Sequence, residues 1–346
     1  MKVLMLTDKL TMGGAENYFI KLENKMIQGT DFNLFTAAGD GELTDLIKNK
    51  SHHMTLAREN HLLNLWRLTK YINKKHITVI HANSLRMFFY ACFLRMTTGK
   101  LRLKILYTKH NITSLEKFPK IFSFCMNYGV NGIITVSDFE KEVLIRYGVK
   151  REKITTVYNG VDLERFPFKE KTPKEKFNVG ILARLSPEKN HNLFLDIASS
   201  LKQKGDIKFY IAGDGPEREE IQKKIEKMGL KEKVEMLGAV EPKKFLESMD
   251  ILLLTSKREV FPMVILEAMA SGTPVVSIDR GGIREAIQDQ ETGMMVDKHC
   301  SKAFNEKIVS LKSDCELRNR IIDAARKKVI REFTSNNMVT KTFEQY

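Results

Sequence analysis

The sequence predicts an α/β protein of two domains, each a parallel sheet flanked by helices. Three observations predict this. At 346 residues the chain is too long for one core of ordinary size. Short apolar runs, such as Lys2–Thr7 and Ile251–Leu254, have the length of buried strands, and each leads through a polar or glycine-bearing turn into a helix start. A hydrophobic content of 42% beside 29% charged residues suits a soluble globular fold.

Several classes are set aside by composition. The four cysteines, at 92, 125, 300 and 315, form no close pair, so neither a zinc site nor a disulfide framework is expected, and a reducing, cytoplasmic compartment is. The opening MKVLMLTDKL is too short in its apolar part for a signal peptide and reads as a first strand. The apolar run Met87–Leu94 is too short to cross a bilayer. Net charge is +14 and unevenly placed. Residues 1–170 hold 26 Lys/Arg against 16 Asp/Glu, and the remainder 31 against 27. Residues 58–120 alone hold 13 against 2, which accounts for the N-terminal excess. Such a face is either simply solvated, or meets anionic lipid headgroups or a diphosphate-bearing acceptor, or binds nucleic acid. We expect the second, with the protein at the inner face of the cell membrane, and no nucleic acid.

In the first domain Lys2–Thr7 reads as a buried strand. Gly13-Gly14-Ala15-Glu16 then opens a helix with apolar Phe19, Ile20, Leu22 and Met26. A glycine pair between strand and helix lets a ligand approach the backbone, though it is also an ordinary tight turn. Phe32–Ala37 is expected as the second strand. Leu62, Leu65, Trp66 and Ile72 form the apolar stripe of a helix, with Arg67, Lys70 and Lys74 on another stripe. Ile77–His81 and Arg102–Thr108 read as strands, with Leu85–Met96 a helix between them. Residues 115–129 mix aromatics with lysines, a pattern that fits either core packing or a membrane interface. His81 and His110 fall at carboxyl ends of strands, the edge where open α/β sheets bind ligands. Gly132–Ser137 is a strand with Ser137 as helix cap, and Ile154–Tyr158 is the last strand. Lys169–Lys176, KEKTPKEK, reads as an exposed linker.

The second domain starts with the strand Phe177–Ala183. Arg184 and Lys189 follow in RLSPEKN; a guanidinium clamps phosphate bidentately and a lysine adds a point charge. Gly213-Asp214-Gly215-Pro216 lacks the third glycine of a dinucleotide fingerprint, so NAD is not expected. The stretch Thr255–Ser277 runs strand, polar loop, helix, strand. Pro262 suits a first helical position, Val264–Ala270 reads as the helix, and Gly272 with Pro274 ends it. The start of that helix, Pro262 with the free amides of Met263 and Val264, suits a phosphate. Glu259 before the helix and Glu267 within it are tolerable beside an anion if they accept hydrogen bonds from hydroxyls. A sugar nucleotide offers both groups; a surface carboxylate and a solvated helix carboxylate are the plainer reading. Residues 315–332 and Thr334–Phe343 read as closing helices.

The pair Glu259 and Glu267, with FPMVILEAMASGTPVV, resembles the signature of the retaining glycosyltransferases of family four. RLSPEKN, the Asn159-Gly160-Val161-Asp162 turn and the Gly13-Gly14 loop resemble further family elements in the same order. The resemblance implies the GT-B fold, two Rossmann-like domains facing a deep cleft. It places an acceptor domain at 1–170, a nucleotide-sugar domain at 171–332, and a final helix at 333–346 returning to the first. It implies hexosyl transfer, or N-acetylhexosaminyl transfer, from a nucleoside-diphosphate sugar, UDP favoured, to a glycan or lipid-linked acceptor in bacterial surface polysaccharide synthesis. His110 then lies by the donor sugar and acceptor hydroxyl, Glu259 orients hexose hydroxyls, and Glu267 accepts from the ribose. Arg184, Lys189, Gly13, Gly14 and the helix start at 262–264 face the diphosphate. No Asp-x-Asp occurs in the chain, so no metal and no cofactor beyond the donor substrate are expected. A sugar-nucleotide epimerase of the same fold, and a basic nucleic-acid- or membrane-binding protein, are the rival readings.

Overall fold

The computed structural model describes residues 1–11, 13–26, 33–99, 102–171 and 175–346. It divides into two compact units: Met1–Gly160 with Ser335–Tyr346, and Val161–Thr334. Residues 161–171, expected in the first domain and the linker, therefore belong with the second. Their lysines are fastened there: Lys169 pairs with Glu247 at 3.1 Å and Lys171 Nζ donates to Thr273 Oγ1 at 2.8 Å. Phe32 and linker residues 172–174 lie outside the described residues.

The first unit runs β1 (Lys2–Lys9), α1 (Gly14–Met26), β2 (Asn33–Gly39), β3 (His53–Leu56), α2 (His61–Lys75), β4 (Val79–Ala82), α3 (Leu85–Thr97), β5 (Lys104–Lys109), α4 (Pro119–Gly129), β6 (Gly132–Thr135), α5 (Asp138–Arg146) and β7 (Ile154–Thr156). All seven strands pair in parallel in the order β3-β2-β1-β4-β5-β6-β7. Both faces of the sheet are covered, which is why its strands read as near-continuous apolar runs. Helices α2 to α5 fill one face, around Leu68, Phe88, Phe122 and Leu144. Helix α1 and residues from the chain's end fill the other, around Phe19, Leu22 and Met338.

Helix α2 corrects one expectation. Leu62 and Trp66 do not share a buried stripe with Ile72; they face solvent, and Asn64, Leu68 and Ile72 are buried instead. Asn64 can be buried because its amide is satisfied twice, donating to Ala57 O and accepting from Ala57 N, both at 2.8 Å. These two hydrogen bonds hold Asn64 on the buried side with Leu68 and Ile72, and Leu62 and Trp66 lie on the exposed side.

The second unit runs β8 (Phe177–Leu182), α6 (His191–Ser200), β9 (Ile207–Ala212), α7 (Arg218–Lys227), β10 (Val234–Gly238), α8 (Pro242–Ser248), β11 (Ile251–Leu254), α9 (Met263–Ser271), β12 (Val275–Ile278), α10 (Ile283–Ala286), β13 (Met294–Val296), α11 (Ser301–Ser313) and α12 (Cys315–Glu332); α13 (Ser335–Phe343) belongs to the first unit. Its sheet is also parallel, ordered β10-β9-β8-β11-β12-β13. In both sheets the strand order reverses beside the first strand, between β1 and β4 and between β8 and β11. Loops leaving the carboxyl ends at such a reversal point form the ligand crevice of this architecture.

Candidate active site

In the second unit the loops that leave β8 and β11 are tied together. Thr255 Oγ1 donates to Lys189 O at 3.0 Å, and Lys257 N donates to Glu188 O at 2.8 Å. The β8 loop is compact: Ser186 N bonds Arg184 O, Lys189 N bonds Ser186 O, and Pro187–Lys189 form a single tight turn. The ties bring Lys189 Nζ to 2.7 Å from Glu259 Oε1. The pair is mostly shielded from solvent, the carboxylate more than the ammonium. Arg184 is exposed on the same loop.

Glycines seat both loops. Gly213 has φ +132°, and a Cβ there would stand 2.0 Å from Ala183 O. Leu185 N donates to Asp214 O at 3.0 Å. The Gly213-Asp214-Gly215 turn is thus a saddle for the Arg184 loop. Gly281 has φ +63°, and a Cβ would stand 1.7 Å from Glu259 O; Gly282 N donates to Val260 O at 3.1 Å. Sequence reading missed both roles; the only signal was glycine at the carboxyl end of a strand.

Helix α9 runs one residue further at each end than the expected Val264–Ala270, and Pro262, expected at the first helical position, is its N-cap, extended at φ −75° and ψ 125°, with no side chain capping the helix. Its first-turn amides, at Met263 and Val264, are therefore uncapped by protein. Glu267 sits half-buried one turn further on. The helix ends at Gly272, left-handed at φ +80°, where a Cβ would press on the Phe168 ring at 2.7 Å.

In the first unit His110 follows β5. Its Nε2 lies 3.4 Å from Asn83 Oδ1, and Tyr18 meets its ring edge-on at 4.7 Å between centroids. Burial first, then the Lys109 charge, pulls the imidazole down to about 3, so it is neutral at physiological pH. His81 is fully buried with both nitrogens engaged, by Thr108 Oγ1 at 2.6 Å and Tyr346 OH at 2.7 Å; it holds the core and the chain's end together. Beneath His110 lies a buried cluster: Lys109 Nζ pairs with Glu116 at 3.2 Å, pairs with Glu140, and donates to Asn111 O at 3.2 Å. Glu116 accepts from Thr113 N in turn. The cluster pins the loop that carries His110.

At the glycine loop, the Glu16 carboxylate folds over Gly13, with Oε2 2.2 Å from where a Cβ would be; Gly14 has open space around it. Burial, offset in part by the hydrogen bond from its own amide, raises the Glu16 carboxyl above the usual range. A ligand phosphate at Gly13 would have to displace that side chain. Beside it, a cavity of ≈ 390 Å³ opens at the carboxyl ends of β1, β2 and β3. Asp8, Asp40, Arg58, His61 and Arg86 line it. Arg86 Nε lies 3.2 Å from Asp8 Oδ1, an oxygen that accepts no hydrogen bond among the described residues.

Two parallel sheets of this order, each flanked by helices, define a protein of the GT-B class. The chain belongs to glycosyltransferase family 4: residues 12–165 match the model described as Glycosyltransferase Family 4, and residues 162–328 match Glycosyl transferases group 1. It is 28% identical over 216 residues to poly(ribitol-phosphate) alpha-N-acetylglucosaminyltransferase of Staphylococcus aureus, covering 61% of this chain and 43% of that one. It is 29% identical over 255 residues to N-acetyl-alpha-D-glucosaminyl L-malate synthase of Bacillus anthracis, covering 69% and 66%. The matched region spans about half the length of several such relatives. Among solved structures, Anabaena Alr3699/HepE in complex with UDP and glucose superposes with a TM-score of 0.87 at 21% identity, covering 100% of this chain and 99% of that one. Lipopolysaccharide outer core galactosyltransferase WaaB superposes at 0.77.

Proposed function

We propose that the protein transfers a hexose or N-acetylhexosamine from a nucleoside-diphosphate sugar to a glycan or lipid-linked acceptor in bacterial surface polysaccharide synthesis, with retention at the anomeric carbon. UDP is the favoured nucleotide, since the HepE structure holds UDP and glucose. The observation that carries the reading is the Lys189–Glu259 pair at the reversal point of the second sheet, beside the uncapped start of α9.

In this reading Met263 and Val264 amides receive the donor diphosphate, and Arg184 grips it bidentately. Lys189 neutralises the charge that grows on the leaving phosphate oxygen as the C1–O bond breaks. Glu259 holds Lys189 in place and accepts from hexose hydroxyls; Glu267 accepts from the ribose. The acceptor oxygen bonds to C1 from the face the diphosphate leaves, and its proton passes to the departing phosphate, with no covalent enzyme intermediate. In this reading these cations do the work that a divalent ion does in other transferases, and the reaction is expected to need no metal. His110, on the same reading, bonds sugar hydroxyls and positions the donor sugar, and the acceptor's proton goes to the departing phosphate. A panel of UDP-, GDP- and ADP-sugars, scored for donor hydrolysis with and without EDTA, tests the reading. Turnover of none of them rejects it, and activity lost to EDTA and restored by manganese rejects its metal-free part.

A further inference from the structure

Helices α2, α3 and α4 are apolar on the side where a surface helix is ordinarily polar. On α2, Leu62 is 80% exposed and Trp66 is 56% exposed. On α3, Phe89, Phe93 and Met96 face outward at helical spacing. On α4, Ile121, Phe124 and Tyr128 do the same. Of the seventeen large hydrophobic side chains exposed among the described residues, eleven fall between 62 and 128, so the exposure is concentrated and not scattered.

The three helices lie side by side on one face of the first sheet. Thr69 of α2 meets Thr97 of α3, with 3.4 Å between hydroxyls. Arg95 of α3 reaches Tyr128 O of α4 at 3.5 Å. The outward residues therefore make one surface. Monomers rarely leave apolar patches of this extent without a partner.

The charge on this surface says which partner. Residues 58–120 carry 13 Lys/Arg and two Asp/Glu, and one of the acids, Glu116, is buried against Lys109. Lys70, Lys74, Lys117 and Lys120 are exposed beside the apolar side chains, and Lys70 Nζ sits 3.7 Å over the Trp66 ring. A second copy docking face to face would set these cations against their own kind. Aromatic and aliphatic side chains ringed by lysines match a bilayer interface with anionic headgroups. No helix of the described residues is long and apolar enough to cross a membrane.

We propose that the outer face of α2, α3 and α4 docks on an anionic lipid bilayer. The β1–β3 cavity opens at the first turns of the same helices, through His61 of α2 and Arg86 of α3. Docking therefore presents that cavity to the headgroup layer. Resting on the transferase reading above, its occupant is a lipid-anchored acceptor: Arg58 and Arg86 take its anionic group, and Asp8 and Asp40 accept from its hydroxyls.

Trp66 is the chain's one tryptophan, so its emission reports on this face alone. The full chain is mixed with phosphatidylcholine vesicles with or without phosphatidylglycerol, and emission and sedimentation are followed. The expected result is a blue shift and co-sedimentation with the anionic vesicles, weakened by salt. Phe93→Ser with Phe124→Ser should lower vesicle partitioning about tenfold, with Tm and donor hydrolysis unchanged. Emission unmoved by vesicles overturns the proposal. So does a blue shift produced by RNA alone, or by raising protein concentration without lipid. Donor hydrolysis is measured in parallel without vesicles, so a failed docking and a failed transferase reading give different results.

Discussion

Lys189 and Glu259 stand seventy positions apart in the chain, yet their charged ends meet at 2.7 Å. Each comes from a loop leaving the sheet at its reversal point, and each loop is seated by a glycine on a neighbouring turn. A partner for the ammonium is thereby in place before any ligand arrives, so little reorganisation is left for the reaction.

Removing either member should slow the reaction. Lys189→Ala and Glu259→Ala are each expected to reduce kcat by about 2–4 kcal/mol in transition-state terms. Because the groups touch, the double variant should lose clearly less than the two losses combined. Steady-state kinetics on all three variants checks this, and full additivity would show that the pair does not act together.

Arg184→Lys should behave as a disruptive change. A lysine keeps the charge but not the planar fork that meets two phosphate oxygens. Donor KM is expected to rise at least severalfold, read from donor titrations at saturating acceptor.

Gly281→Ala tests the seat of the Glu259 loop. The residue has φ +63°, and the added methyl would lie 1.7 Å from Glu259 O. The loop must move, with a stability loss of about 1–3 kcal/mol. Activity should fall toward that of Glu259→Ala. Denaturant titration and kcat together check the pairing of the two effects.

Lys109→Met should destabilise the first unit by about 3–5 kcal/mol, because it leaves Glu116 and Glu140 buried without their cation. Restoring neutrality with Lys109→Met, Glu116→Gln and Glu140→Gln together should recover part of the loss. Urea unfolding curves for the two variants decide.

The buried imidazoles make stability depend on pH. His81 is held at about 3 by burial and by its neighbour His110, against an ordinary 6.5. Between those values the unfolded chain binds the proton and the folded chain does not. The contribution is complete above pH 6.5 and is lost as pH falls toward 3, by up to about 1.4 kcal/mol per pH unit for one such group. His110, held at about 3, and His191, held at about 4, act in the same sense. His81→Gln should flatten the slope in that window, measured by unfolding at stepped pH.

What could be read from residues alone follows from local rules. Ile251–Leu254 is a strand because four apolar residues in a row suit a sheet covered on both faces, and α9 ends at Gly272 because glycine tolerates φ +80°. Ser137 caps α5 as its side chain chemistry dictates. Resemblance to family motifs brought Arg184, Lys189, Glu259 and Glu267 to notice, since motif positions are local. The tertiary structure alone decided which of them touch. It paired Lys189 with Glu259. It also gave Gly213 and Gly281 their tasks, because a contact across a sheet edge has no signature in either segment. It decided the orientation of α2 as well. The apolar spacing of Leu62, Trp66 and Ile72 fits a buried stripe, but Leu68 and Ile72 pack in the sheet core and Asn64 is held on the same side by two hydrogen bonds to Ala57, which leaves Leu62 and Trp66 exposed.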